Sequence, residues 1–244
     1  MATVLLVRHG RTTANATGLL AGRTPGVQLD QIGQDQAALA GARLAAVPLV
    51  AVVSSPLERC RETAQHIIDR QTGTALTPIE DQLSECDYGD WQGRTLNDLS
   101  QEKLWSVVQT QPSAVTFPGG ESMAAMQARS VAAIRRLDAG FEAEHGPGAV
   151  WVAVSHGDII KSILADALGM HLDLFQRISV GPASVSIVRY GEARPDVVAT
   201  NTESGDLSWL ARAAAPRGDA VVGGGAGHEE PSPSSTERPD PTTP

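Results

Sequence analysis

Short, unbroken apolar runs alternate along this chain with longer stretches in which apolar residues recur at helical spacing. Thr3-Val4-Leu5-Leu6-Val7, the β-branched run Leu49 to Val53, and Ala149 to Val154 have no internal polar alternation. Runs of this kind read as strands covered on both faces. Between them, Gln31 to Ala46 predicts a helix with Ile32, Leu39, Ala42 and Leu44 as its apolar positions and Pro48 soon after its end. Further helices are predicted over Glu58 to Arg70, ended by Gly73, over Thr95 to Gln109, and over Ser122 to about Glu144, stopped by Gly146-Pro147. The strand from Val150 leads into a helix over Asp158 to Leu168. Ala183 to Tyr190 has a strand pattern through Val185, Ile187 and Val188, and Asp196 to Thr200 can pair with it. Strands alternating with helices predict an α/β fold: a doubly wound, mostly parallel sheet with helices on both faces.

Residues 1–213 carry all of these elements, and 244 residues with 41% apolar content suffice for one such domain with an ample core. From about Ala214 the character changes. Residues 215–244 hold six prolines and five glycines, with Val221-Val222 the only strong apolar pair. A segment of that composition cannot offset its ordering entropy, so 214–244 is expected to be a disordered tail, with docking onto the domain as the alternative. The net charge is −9, and no run of basic residues occurs, which argues against nucleic acid as a partner. No apolar run reaches membrane-spanning length, and no charged leader precedes the first strand. Cys60 and Cys86 are too few for a disulfide framework, so reduced thiols in a cytoplasmic protein are expected. A homodimer stays open.

Three polar motifs stand directly after three of the strands: Arg8-His9-Gly10, Ser54-Ser55-Pro56 and Ser155-His156-Gly157. Open α/β sheets bind ligands at that edge. A neutral imidazole is a competent nucleophile toward phosphorus, and a guanidinium forks onto phosphate oxygens. The motifs belong to a longer ordered series. Arg8-His9-Gly10-Arg11-Thr12 continues to Asn15 and Gly22-Arg23, and Ser54 to Arg59 runs on to Thr63-Ala64. Leu83-Ser84-Glu85 precedes Tyr88-Gly89-Asp90-Trp91-Gln92-Gly93, and Phe117 to Ser122 comes before Ser155-His156-Gly157. Over roughly residues 2–205 this series resembles the histidine phosphatase superfamily, also called phosphoglycerate mutase-like. The domain over 1–213 would then be its catalytic domain.

The resemblance implies that His9 attacks phosphorus and becomes phosphohistidine. Its attacking nitrogen must be unprotonated, so the other needs an acceptor such as a backbone carbonyl. Gly10 is expected to let the chain pass close to the substrate. Arg8, Arg59 and His156, with Gly157 following, would surround the phosphoryl group and compensate its charge without a metal. Arg59 falls in the first turn of its helix, whereas Arg61 is expected on the solvated face. Asn15 is matched to a phosphate contact, against the plainer reading of a helix cap. Gly22 and Arg23 fall in a loop bordering the pocket. Glu85 is the candidate general acid for the leaving alkoxide, with Asp87, Glu121 and Asp158 as further acids; Asp158 is expected rather to cap its helix. The six histidines show no metal-ligand spacing, so neither a metal nor a cofactor is expected. The four tryptophans read as packing, and Cys86 as a packed thiol.

Members of the family either release phosphate to water or pass it between positions of a phosphoglycerate. The cofactor-dependent mutases carry Glu-Ser after Arg-His-Gly and Arg-His-Tyr-Gly after the acid, where this chain has Arg11-Thr12 and Cys86-Asp87-Tyr88-Gly89. They also hold the substrate carboxylate with an arginine pair, whereas Thr95 to Phe117 offers only Lys103. A metal-independent phosphomonoester hydrolase acting on a small phosphorylated metabolite is the expectation. A phosphomutase on the same phosphohistidine is the alternative, and a non-catalytic phospho-ligand module a further one.

Overall fold

A computed structural model describes residues 2–205 and 222–226. Strands β1 (Thr3–Arg8), β2 (Ala51–Ser54), β3 (Val150–Ser155), β4 (Val185–Tyr190) and β5 (Pro195–Thr202) form one sheet in the order β2-β3-β1-β4-β5. β1 pairs in parallel with β3, and β3 with β2; β4 is antiparallel to β1 and to β5. Four of the five strands therefore point one way, in keeping with the mostly parallel sheet predicted.

The continuous apolar runs are explained by cover on both faces. Val4 and Leu6 of β1 belong to one core with Ala51, Val53, Trp151 and Ala153, packed under helices α6 (Met123–His145) and α7 (Gly157–Ala167). The alternate residues Leu5 and Val7 join Val52, Val152 and Val154 in a second core under α2 (Gln31–Leu44) and α3 (Glu58–Ile68). The period-2 alternation of strand side chains sends these two sets to opposite layers.

Two helical expectations are corrected. Of the apolar positions assigned to α2, Leu39 is 49% exposed, while the buried face is Gly33, Ala37, Ala40, Gly41 and Leu44. Small residues line that face because main chain packs on main chain there. A Cβ on Gly33 would stand 1.9 Å from the Arg11 carbonyl oxygen, and one on Gly41 2.4 Å from that of His66. The stretch over Thr95 to Gln109 is also not one helix. It breaks into α4 (Leu96–Leu99) and α5 (Trp105–Thr110), after the short α1 (Thr13–Ala16) earlier in the chain. Leu99 and Val108 are both buried, yet nine residues is two and a half helical turns and would put them on opposite sides of a single helix. The break lets both face the core, with Trp105 stacked on Trp91.

The bounds of α6 and the start of α2 follow capping chemistry. Ser122 caps α6 through its bond from Ala125 N, and Gly146 ends that helix at φ 84°. Asp30 caps α2 and takes Arg11 Nε on its other oxygen at 2.8 Å. No helix among the described residues is long and apolar enough to cross a membrane.

Candidate active site

The carboxyl ends of β1, β2 and β3 deliver His9, Ser55 and His156 to one edge of the sheet, with the two imidazole centroids 5.3 Å apart. His9 is 2% exposed. Its Nδ1 lies 2.7 Å from the Gly10 carbonyl oxygen, the acceptor that holds the proton on Nδ1 and leaves Nε2 with its lone pair. Burial first, then the charges of Arg59 and Arg8, hold this imidazole well below the usual histidine range, so it is neutral at physiological pH. Gly10 makes its close approach to Gly33 of α2, where a Cβ would lie 2.3 Å from the carbonyl oxygen. Its amide donates to Thr63 Oγ1.

Arg59 sits in the first turn of α3 with its head against both imidazoles. Nε donates to His9 Nε2 at 3.3 Å, and Nη2 to the Gly22 carbonyl at 2.7 Å and to His156 Nδ1 at 3.1 Å. Gly22 thus contributes a carbonyl that aims Arg59. His156 Nε2 is then the protonated nitrogen and donates to Ser55 Oγ at 2.8 Å. His156 is wholly buried behind Arg59, braces that guanidinium and does not line the cavity. Arg61 is exposed, as the sequence pattern expects.

Arg8 is also buried, and its Nη1 donates to the Val180 carbonyl. Burial pushes its guanidinium down to about 10, still protonated at neutral pH. Arg8 Nε and Arg59 Nη1 are buried donors without a protein acceptor. Gly157 stands beside the first of them: a Cβ there would lie 3.6 Å from Arg8 Nε. Arg59, whose Nε touches His9 Nε2, lines the cavity, while the Arg8 guanidinium lies under Gly224; such unsatisfied cationic donors can receive an anion.

Glu85 lines the same cavity, 2% exposed, with Oε1 accepting from Cys86 N at 3.0 Å. Burial, and after it the neighbouring Asp158 carboxylate, raises its carboxyl to about 7. Such a group can carry a proton at neutral pH and give it up. Asp158 is not the expected cap, since His156 occupies that position and makes no side-chain cap bond. It is buried in the first turn of α7, accepts Tyr88 Oη at 2.7 Å and faces Lys161 Nζ at 3.7 Å. Asn15 serves in two ways. Its Oδ1 closes a capping box with Thr12, while Nδ2 is directed toward the cavity.

Glu121 and Arg23, quoted in the motifs, form the frame of the acid's loop together with Arg129, which no motif indicated. Arg23 Nε and Arg129 Nη2 donate to the Glu85 carbonyl at 2.8 and 3.1 Å, and both guanidiniums bind Glu121 Oε1. Asp87 N donates to that same oxygen. Arg129 lies in the second turn of α6, a helix that also carries Arg135 and Arg136, with no local signal to separate it from a solvated helix face. Cys60 and Cys86 are buried, and desolvation raises both thiols, Cys60 to about 12, which makes them poor nucleophiles. Trp151 is core, its indole bonded to Asp138, and Trp209 lies outside the described residues.

Val222–Ala226 are the described part of the segment expected to be disordered, and they pack at this site; the remainder of 214–244 lies outside the described residues. Val222 is 1% exposed, and Gly223, Gly224 and Gly225 line the same cavity as His9 and Glu85.

A buried, neutral histidine, two arginines and a protonatable carboxyl thus meet at the carboxyl edge of a mostly parallel sheet. The model for the histidine phosphatase superfamily (branch 1) matches residues 4–203, and the chain belongs to that family. The bifunctional protein Rv2228c of Mycobacterium tuberculosis is 32% identical over 195 residues, covering 77% of this chain and 50% of that protein. This chain therefore spans about half the length of the first curated relatives it matches. A Salmonella choleraesuis protein named probable phosphoglycerate mutase GpmB is 30% identical over 80% of this chain and 87% of its own. Among solved structures, the α-ribazole phosphatase of Shigella flexneri superposes with a TM-score of 0.71 at 28% identity, covering 82% of this chain and 96% of its own. The mycobacterial glucosyl-3-phosphoglycerate phosphatase Rv2419c does so with 0.73 at 25%, covering 82% and 99%.

Proposed function

We propose that this chain is a phosphomonoester hydrolase that works through a phosphohistidine on His9 and needs no metal ion. The observation that carries the reading is the unprotonated Nε2 of His9 in contact with the Arg59 guanidinium, together with two unpartnered buried donors, Arg59 Nη1 and Arg8 Nε. In the first step the His9 Nε2 lone pair forms the N–P bond, the P–O bond to the alcohol breaks, and the Glu85 carboxyl gives its proton to the departing oxygen. The guanidiniums compensate charge on the equatorial oxygens, Arg59 exchanging its His9 contact for a phosphoryl oxygen. In the second step water attacks phosphorus, the Glu85 carboxylate takes the water's proton, the N–P bond breaks, and phosphate leaves.

Water is favoured over a second phosphoglycerate position as acceptor because of the cavity's other wall. Gly18, Leu19, Leu20, Ala21 and Leu96 form it, and Arg59 is the only cation in the described lining. Lys103 is exposed, and Arg94 is engaged by Glu102. A wall of this kind suits the uncharged organic part of a small phosphorylated metabolite and offers no site for a carboxylate.

Mixing the protein with a radiolabelled phosphomonoester and quenching in alkali should trap label on the chain, acid-labile as a phosphoramidate is. Turnover should persist in chelator. Loss of turnover in chelator with rescue by zinc or magnesium would overturn the mechanism; transfer of label to a phosphoglycerate in preference to water would make the chain a mutase. A second test separates the arginines. A charge-assisted hydrogen bond is worth about 1.5–3 kcal/mol, so Arg59→Ala should lower kcat/KM on the order of tenfold to a hundredfold or more. The more conservative Arg8→Lys should also lose activity, because an ammonium cannot reproduce the fork. Arg61→Ala serves as the surface control. Equal losses at Arg59 and Arg61 would show that the functional face of α3 is misassigned.

A further inference from the structure

We infer that Val222–Ala226 is an intramolecular plug that competes with the phosphoryl group for this site, so that the chain limits its own access to substrate. The inference rests on the reading of the pocket as a phosphoryl site. Its own evidence is the way the segment is held. Arg8 Nη2 donates to the Gly225 carbonyl at 2.9 Å, Asn15 Nδ2 to the Gly224 carbonyl at 3.4 Å, and Gly223 N to Asp158 Oδ2 at 3.1 Å. Two of these three partners, Arg8 and Asn15, are residues the sequence pattern assigns to phosphate. Val222 anchors the segment in the core that contains Leu20 and Tyr88.

The fit requires glycine. Gly223 and Gly224 have φ of +78° and +74°, and a Cβ on Gly224 would stand 2.8 Å from both Cζ and Nη2 of Arg8. From the other side, a Cβ on Gly157 would come 3.2 Å from Gly224 Cα. The peptide therefore lies flat on the guanidinium, in the space that Gly157 leaves open beside Arg8 Nε. With the segment in place, Gly223, Gly224 and Gly225 form part of the wall of the cavity that His9, Asn15, Arg59 and Glu85 line, and the Arg8 guanidinium is covered.

Occupancy of this kind is reversible by design of its chemistry. A carbonyl offers the guanidinium only a dipole, whereas a phosphate dianion brings opposite charge and can accept two parallel N–H bonds, so a dianion displaces the segment once its concentration is high enough. The plug then appears as a raised apparent KM and a weakened affinity for phosphate, in proportion to the closed fraction.

The test compares full-length wild type, Gly224→Val and Gly225→Ala in two measurements: calorimetric binding of inorganic phosphate, and hydrolysis of nitrophenyl phosphate. Valine at 224 cannot lie on Arg8, whereas a Cβ on Gly225 meets nothing within 4 Å. Gly224→Val should bind phosphate about fivefold to tenfold more tightly and lower KM by a similar factor, as expected for relief of a site closed about 80–90% of the time. Gly225→Ala should match wild type. If all three proteins hydrolyse the ester with equal KM and bind phosphate equally, the plug is overturned and the hydrolase reading stands. If Gly224→Val binds phosphate more weakly, the segment belongs to the ligand site and is no competitor. If none hydrolyses the ester while Gly224→Val still binds phosphate more tightly, the plug is upheld and the hydrolase reading falls.

Discussion

His9→Ala should lose turnover by on the order of 10⁴–10⁶-fold, the scale on which removal of a covalent nucleophile falls, and should no longer take up label from a phosphomonoester. The imidazole lies at the end of β1 and lines the cavity, and its contacts are polar: Nδ1 to the Gly10 carbonyl and Nε2 to Arg59. Its loss removes no member of either hydrophobic core. The variant should therefore keep the wild-type circular dichroism spectrum and still bind phosphate through Arg8 and Arg59. Acid-labile label recovered on the variant protein would assign the nucleophile elsewhere.

Glu85→Gln should separate substrates by leaving group. General acid catalysis contributes roughly 10²–10⁴-fold where the departing oxygen is a poor leaving group, as an alkoxide is. Burst-phase phosphorylation from an alkyl phosphate should fall by that factor, while nitrophenyl phosphate, whose phenolate leaves unaided, should be spared. Burst rates are the proper comparison because, in the proposed mechanism, the same carboxylate would serve as base toward water in the second step. An equal loss on both substrates would make Glu85 an electrostatic element and move the acid to another carboxyl.

The same residue sets a pH dependence. Since burial, and then Asp158, raise Glu85 to about 7, acid-assisted phosphorylation is present below that pH and lost as pH rises through it. Stability follows the same sign. The folded value lies above that of an unfolded carboxyl, so the group's contribution is fully present below the ordinary carboxylate range and lost as pH climbs through about 7. Glu85→Gln should flatten that part of the stability profile and gain on wild type above neutrality. A parallel course of the two stability curves from pH 5 to 9 would show that Glu85 is ionised throughout.

The strands and the order of the motifs were legible because both obey local rules. A parallel strand covered on both faces must be apolar at every position, and a group that serves the crevice must follow it directly; Arg8-His9, Ser54-Ser55 and Ser155-His156 do. Distances between motifs were not legible. That His156 acts on Arg59, that Gly22 offers its carbonyl, and that Arg129 pins the acid's loop are facts of tertiary contact with no spacing to announce them. One further reading failed because it counted side chains where main chain decides: the buried face of α2 is small rather than apolar. At 223–225 the same glycines that give a linker's composition let the chain lie on a guanidinium, a fit that composition does not announce. The break after Leu99 escaped because helical spacing over a short window carries no record of which side the core lies on.

Gly10, which follows His9 directly, meets Gly33 main chain to main chain. Side-chain packing elsewhere in a core shifts a little with every substitution, and those shifts are passed on to whatever rests upon it. Here the support is peptide on peptide, whose dimensions no mutation short of one at those two glycines alters. His9 is thereby insulated from drift in its surroundings, and the rest of the pocket can be remodelled while that imidazole keeps its place.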